Sequence, residues 1–241
     1  MLDIRELVSP NVCRAACIEF VSMMLYTYIS FSISITAVRQ DLRIEVVALL
    51  HVFLVALFIM ATGTASGAHF NPNITLVMLF SRMITLGRAV WYIAAHIVGA
   101  TVAGFMIRVA SGAPALLDKI RCSYAEEAGV GAALVNEVLG NWVFLFITLY
   151  LALDAKQQKA HGNLAGPLLV GSIVGIMIIG NASMQQGLSA SMNSARCLGG
   201  GVAALTFDGL WVSWVGGLVA SLLAACFYNA VPPHHTAIYS R

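Results

Sequence analysis

Three charged side chains fall inside long apolar stretches of this sequence: Glu19, Glu137 and Arg196. A charge at membrane depth is expensive and marks a functional position by default. A carboxylate there can bond backbone N–H groups, touch a solute directly, or relay protons. No chain of titratable partners accompanies either Glu, which argues against a relay. Arg196 comes three residues after Asn193, on the first turn of a short apolar segment. A guanidinium so placed offers fixed donors to a passing solute and repels cations. The alternative for Arg196 is a side chain that snorkels to the interface.

These residues must be positioned by two loops of similar composition. The first is Ser66-Gly67-Ala68-His69-Phe70-Asn71-Pro72-Asn73, and its echo is Ser189-Ala190-Ser191-Met192-Asn193-Ser194-Ala195-Arg196. Each delivers an Asn immediately before a short apolar segment, Ile74 to Phe80 in one copy and Ala195 to Leu205 in the other. Asn71 and Asn193 read as helix N-caps, and Pro72 sits where Pro is favoured at a helix start. Each segment has room for roughly 10 residues of helix, about 15 Å, or half of a hydrocarbon core of about 30 Å. Two half-helices entering from opposite faces would meet end to end near the midplane. Broken helices at that depth are tolerated only where they are buried or line a cavity.

The two loops resemble the paired signatures of the aquaporin (major intrinsic protein) family. Ser-Gly-Ala-His-Phe-Asn-Pro-Asn-Ile-Thr matches the first signature with Asn73 in place of Ala. Ser-Met-Asn-Ser-Ala-Arg is similar to the second with Ser194 in place of Pro. The resemblance runs from about Arg14 to about Tyr228. It implies an all-α membrane fold of six transmembrane helices plus two re-entrant half-helices. The pore centre would be built from Asn71, Pro72, Asn73, Asn193, Ser194 and Ala195. It also implies that Glu19 and Glu137 bond the backbone N–H groups of the loops.

The resemblance further implies an outer selectivity filter. Counting from the motifs, twenty residues before Asn71 is His51, and twelve and three before Asn193 are Asn181 and Ala190. The filter is then His51, Asn181, Ala190 and Arg196. His at the first position is similar to plant tonoplast-type members, and polar Asn181 supplies no aromatic wall for a carbon backbone. Cys197 stands where the glycerol class carries Asp, and Trp214 stands where water-conducting members hold an aromatic, although Ser213 departs from their aromatic pair. The implied function is a passive water channel, with ammonia, urea and hydrogen peroxide as further neutral solutes. Each half-helix N-terminus carries roughly +0.5 charge, so two ends facing one spot make a barrier to cations and hydronium. A water that accepts bonds from both Asn would turn its oxygen inward and interrupt a proton wire.

Composition fits a chain embedded in lipid. Charged residues are 10% and hydrophobic residues 59% of 241, and the mean hydropathy is +0.85. Soluble domains average about 25% charged. A formal net charge of +2 implies no nucleic-acid surface. Met1 to Asn11 lacks the pattern of a cleavable signal peptide. Cys13, Cys17, Cys122, Cys197 and Cys226 show no metal spacing and read as buried small apolar residues. No cofactor or metal is implied, and nothing points to an enzyme.

Six spans are expected near Val12–Ala37, Val46–Thr62, Ala89–Ala110, Gly129–Leu153, Leu164–Ser183 and Leu210–Tyr228. Asp154, Lys156, Lys159, His161 and Gly162 read as a loop. One channel domain, 1–241, then contains two inverted repeats, about 12–110 and 129–230, because three spans plus a half-span are copied after an odd number of crossings. Placing both termini in the cytoplasm puts Arg5, Arg14, Arg82, Arg88, Lys156, Lys159 and Arg241 inside. Arg39, Arg43, Arg108, Lys119 and Arg121 are then outside, a mild bias of the expected sign. The membrane is that of the cell surface or a vacuole. The family implies a homotetramer. Gly99, Gly104, Gly171, Gly175, Gly216 and Gly217 permit close helix contacts within or between subunits.

Some readings stay open at this level. Asn73 either bonds the opposite loop, which is favoured, or enters the pore. His51 is placed on the pore wall. His69 and His96 read as packed, hydrogen-bonded groups, with the His69 carbonyl facing the pore. His234 and His235 read as solvated rather than as a pH sensor. Alternatives to a water channel are a glycerol-conducting channel, an ion-coupled transporter of inverted repeats, and a closed junction-forming relative.

Overall fold

The computed structural model describes residues 4–112, 114–124, 129–182 and 191–233. Ala190, His234 and His235 lie outside them, and so does the side chain of Asn181, which is in the last turn of its helix. Among the described residues the structure is helical: α1 (Pro10–Gln40), α2 (Ile44–Ser66), α3 (Pro72–Phe80), α4 (Leu86–Ala110), α5 (Pro114–Leu117), α6 (Gly129–Thr148), α7 (Ala155–Ala182), α8 (Ser194–Ala204) and α9 (Leu210–Ala230). A π-helical turn, Leu149–Leu153, continues α6. Among the described residues five helices are long and apolar enough to cross a membrane, and Leu164–Gly180 adds a shorter apolar helix. The expected half-helices are α3 and α8, 9 and 11 residues long, or roughly 14 and 17 Å.

Two expectations require correction. The segment after Asp154 is helical, because the Asp154 carboxylate accepts from the backbone N–H of Lys156 and Gln157, both at 3.0 Å, and so caps the run that follows. Ala, Lys and Gln there are good helix formers. The break falls instead at Gly162, whose φ of 75° no helix accommodates. The cysteine reading fails as well. Cys122 and Cys197 form a disulfide, while Cys17 and Cys226 are exposed and Cys13 is half-buried. Seventy-five residues separate the bonded pair, so spacing gave no sign of it.

The disulfide ties the connection after α5 to the first turn of α8. Cys122→Ser is expected to lower stability by about 2–4 kcal/mol, by releasing a long loop in the unfolded chain. Titration of denatured, unreduced protein should find the three thiols of Cys13, Cys17 and Cys226. Five reactive thiols would remove the bond.

Small residues set the helix spacing, all within one subunit. A Cβ on Gly99 of α4 would lie 2.6 Å from the Phe20 carbonyl of α1. Gly104 of α4 faces Gly199 of α8 in the same way, and Gly171 and Gly175 of α7 lie against Val52 of α2. Gly216 and Gly217 of α9 face Glu137 and Asn73. These glycines therefore bring together the helices that hold the two loops. Between them lies the main apolar cluster, with Met23, Leu54, Val55, Phe70, Phe144, Leu145 and Ala220 at its centre.

Candidate functional site

The first loop is held by one carboxylate. Glu19, fully buried on α1, accepts from the backbone N–H of His69 at 3.0 Å and of Phe70 at 2.6 Å. It also accepts from Ser66 Oγ at 2.5 Å and lies 2.8 Å from His96 Nε2. Tyr92 Oη donates to the Ser66 carbonyl at 2.6 Å. The loop needs such anchors, because beyond Gly67, whose N–H makes the last bond of α2 to the Gly63 carbonyl at 2.9 Å, Ala68 and Phe70 have positive φ and leave the helical pattern. His96 is the packed, hydrogen-bonded group expected. His69 bonds Thr75 Oγ1 at 2.9 Å.

The second loop has a different anchor. Glu137 of α6 accepts from the Ser191 backbone N–H at 2.8 Å and from Ser191 Oγ. Asn141, one helical turn on, also donates to it, from Nδ2 to Glu137 Oε1 at 2.7 Å. Met192, the residue after Ser191, has a φ of 57°.

Asn71 and Asn193 cap α3 and α8 with their side-chain oxygens, accepting from the N–H of Asn73 at 2.9 Å and of Arg196 at 3.2 Å. Their amide nitrogens cross over. Asn71 Nδ2 donates to the Met192 carbonyl at 2.8 Å, and Asn193 Nδ2 donates to the Phe70 carbonyl at 2.9 Å. Each half-helix is thus stitched, end to end, to the loop of the other. Each amide has two N–H groups, and the cross-stitch uses one of them.

Asn73 does not enter the lumen. Its Nδ2 donates to Asn141 Oδ1 at 2.8 Å, and its Oδ1 accepts from Ser194 Oγ, also at 2.8 Å. The two positions that depart from the signatures are therefore bonded to each other. Glu137, Asn141, Asn73 and Ser194 form one buried polar path from α6 to both loops. Pro72 and Ala195 are buried beside it on the first turns of α3 and α8.

A cavity of about 1020 Å³ passes the stitched Asn pair. Its lining includes Lys119, Arg121, His51 and Arg196, the capping pair Asn71 and Asn193, and Met78, Leu153 and Gln158. His51 is among the residues that line it, and both its ring nitrogens are taken: Nδ1 lies 2.8 Å from the Val47 carbonyl and Nε2 3.0 Å from Ser30 Oγ. Arg196 is bound to α1 through Nε and Ser30 Oγ at 2.8 Å, and its guanidinium carbon lies 5.1 Å from the Phe31 ring centre. Among the described residues no group of three or more His, Cys, Asp or Glu is arranged to hold a metal.

The sequence reading missed Asn141, Ser66, Tyr92, Ser30 and Ser34. Asn141 had a signal, since it follows Glu137 by one turn and shares its face. Ser30 and Ser34 share a face of α1 in the same way, but nothing local shows that Arg196 meets them.

Comparison with known proteins decides what this arrangement is. The family model described as "Major intrinsic protein" matches residues 6–228. The chain belongs to that family. Among its relatives, Aquaporin TIP2-1 of Arabidopsis thaliana is 30% identical over 227 residues, covering 90% of this chain and 87% of the relative. Aquaporin TIP4-4 of Zea mays is 34% identical over 191 residues, covering 77% and 70%. In fold, the chain is similar to the aquaglyceroporin from Plasmodium falciparum, with a TM-score of 0.74 at 20% identity over 91% of this chain and 96% of the other. Major intrinsic proteins are passive channels rather than enzymes. This aquaporin is accordingly an integral, multi-pass membrane channel for water or small solutes.

Proposed function

We propose that this channel passes water past the Asn71–Asn193 stitch, admits small neutral polar solutes such as urea, ammonia and hydrogen peroxide, and turns back protons and ions. The observation that carries the reading is the crossed pair of Asn side chains at the tips of two half-helices, both lining one cavity. Two helix N-termini at one place present partial positive charge to whatever lies between them, and a neutral molecule is indifferent to it. The second N–H of Asn71 is the donor available to a passing oxygen, while the Asn193 nitrogen also lies 4.0 Å from Met23 Sδ.

In this reading His51, Asn181, Ala190 and Arg196 form the filter, and Glu19 and Glu137 support the loops. Pro72, Asn73, Ser194 and Ala195 hold the two tips together. The two inverted repeats, 12–110 and 129–230, make one domain, and four copies assemble with one pore each. The termini face the cytoplasm, and the membrane is vacuolar or plasma.

Proteoliposomes test the reading with a panel of water, glycerol, urea, ammonia and hydrogen peroxide. Native protein should swell with no ion gradient and with a low activation energy, and glycerol should pass poorly. Arg196→Val should raise glycerol and urea flux by roughly tenfold, which is about 1.4 kcal/mol of barrier. Dependence on an ion gradient, or an unchanged panel in the variant, would overturn the filter.

A further inference from the structure

We propose that Ser30 is a specificity-determining positioning residue, a hydroxyl bridge that lets His51 hold Arg196 against α1, so that His51 orders the filter instead of binding solute. The inference rests on the filter reading above and extends it to residues on the first helix.

The proton directions follow from the partners. The Val47 carbonyl can only accept, so His51 Nδ1, 2.8 Å away, carries a hydrogen. In a neutral ring Nε2 is then an acceptor, and Ser30 Oγ at 3.0 Å is its donor. The Ser30 oxygen in turn accepts from Arg196 Nε at 2.8 Å. The chain runs Arg196 Nε–H to Ser30 Oγ–H to His51 Nε2, and His51 Nδ1–H to Val47 O, with every hydrogen assigned and none in conflict. A protonated His51 would aim a second donor at a hydroxyl that already serves Arg196, and would leave Ser30's own hydrogen to find another acceptor.

The site is built for this. Ser30 and Phe31 are fully buried and His51 is 5% exposed. Ser34, one turn along α1, donates to the Ser30 carbonyl at 3.0 Å and lies 3.4 Å from Arg196 Nη2. Ser30, Phe31 and Ser34 therefore grip one edge and one face of the guanidinium. Beside Lys119 and Arg121, the lining of the lumen includes Arg196, with its remaining N–H surface, and His51. Both His51 nitrogens are spent on protein.

Two measurements test the bridge. The first is solid-state ¹⁵N NMR of histidine-labelled protein in bilayers, with His51 identified by the signal lost in His51→Phe, or in His51→Gln should the former not fold. A neutral ring protonated at Nδ1 is expected; protonation at Nε2, or a charged ring, overturns the proposal. The second is flux. Ser30→Ala should free Arg196 into the lumen, lowering water permeability roughly fivefold and shifting the urea-to-water ratio, while Ser30→Thr keeps both near native values. Because Ser30 acts through Arg196, Ser30→Ala should change nothing further in an Arg196→Ala background. An independent effect there overturns the bridge but leaves the filter standing, whereas a native panel in Arg196→Ala alone overturns the filter.

Discussion

Glu19→Gln is expected to abolish most water flux while leaving the chain in the membrane. Four groups converge on this buried carboxylate: Ser66 Oγ, the backbone N–H of His69, the backbone N–H of Phe70, and His96 Nε2. Each oxygen faces one of the two backbone N–H groups. An amide has one oxygen and one nitrogen, so whichever way Gln turns, its NH2 points at a backbone N–H. One buried donor is orphaned, and two hydrogens are driven together. Leaving a buried polar group unmatched costs about 1–3 kcal/mol, and more where a charge-assisted bond is lost; the total here is about 3–5 kcal/mol. The backbone that absorbs this cost is the stretch with positive φ at Ala68 and Phe70.

Phe70 matters most, because its carbonyl accepts from Asn193. Losing its anchor loosens the stitch that holds the second half-helix as well as the first. Permeability per reconstituted molecule should fall at least about tenfold, the change expected from 1.4 kcal/mol at the narrowest point. Glu137→Gln should be milder, since among the described residues Glu137 accepts one backbone N–H, from Ser191, and its other partners there are side chains that can turn. Stopped-flow swelling, normalised to protein per vesicle, compares the two. Native flux in Glu19→Gln would show that the first loop keeps its shape without the carboxylate.

The contrast between the two glutamates bears on what a sequence can disclose. Their existence, their matching places and the caps at Asn71 and Asn193 follow from local rules: a charge in an apolar run, an Asn before a short apolar segment, a Pro at the first helical position. The half-helices are short because the loops break them, and that too is local. What local rules miss is the identity of distant partners. Asn73 alone left two outcomes open, and only the meeting of α3, α6 and α8 decides that its amide turns from the lumen towards Asn141 and Ser194. His51 was placed on the wall by counting, but Ser30 takes its Nε2 from another helix, which makes the wall less polar than its residue type suggested. Cys122 meets Cys197 for the same reason. The Asp154 segment is a different kind of miss. Its cap and its helix formers were in view, but charged residues between apolar runs read as a loop.

Asn73 and Ser194 should behave as one unit. Asn73→Ala removes the donor to Asn141 Oδ1, and Asn141 is fully buried, so its oxygen is left bare. It also opens a gap beside Gly217, where a Cβ would lie 2.5 Å from Asn73 Oδ1. The expected loss is about 2–4 kcal/mol, a bare acceptor plus a small cavity. Ser194→Pro costs less. The Ser194 hydroxyl shares one hydrogen between Asn73 Oδ1 and the Ser213 carbonyl, both at 2.8 Å, and Pro at the first turn of α8 recovers part of the loss through its preset φ. In the double variant Asn73→Ala/Ser194→Pro, neither side retains a polar atom that needs the other. Its destabilisation should be smaller than the sum of the singles by about 0.5–3 kcal/mol, the range for residues in direct contact. Thermal unfolding in detergent measures the stability cycle, and water flux on the same four proteins measures whether the stitch follows it. Additive effects in both would mean that the 2.8 Å bond between the two loops contributes nothing, and that each departure from the signatures is accommodated by its own helix alone.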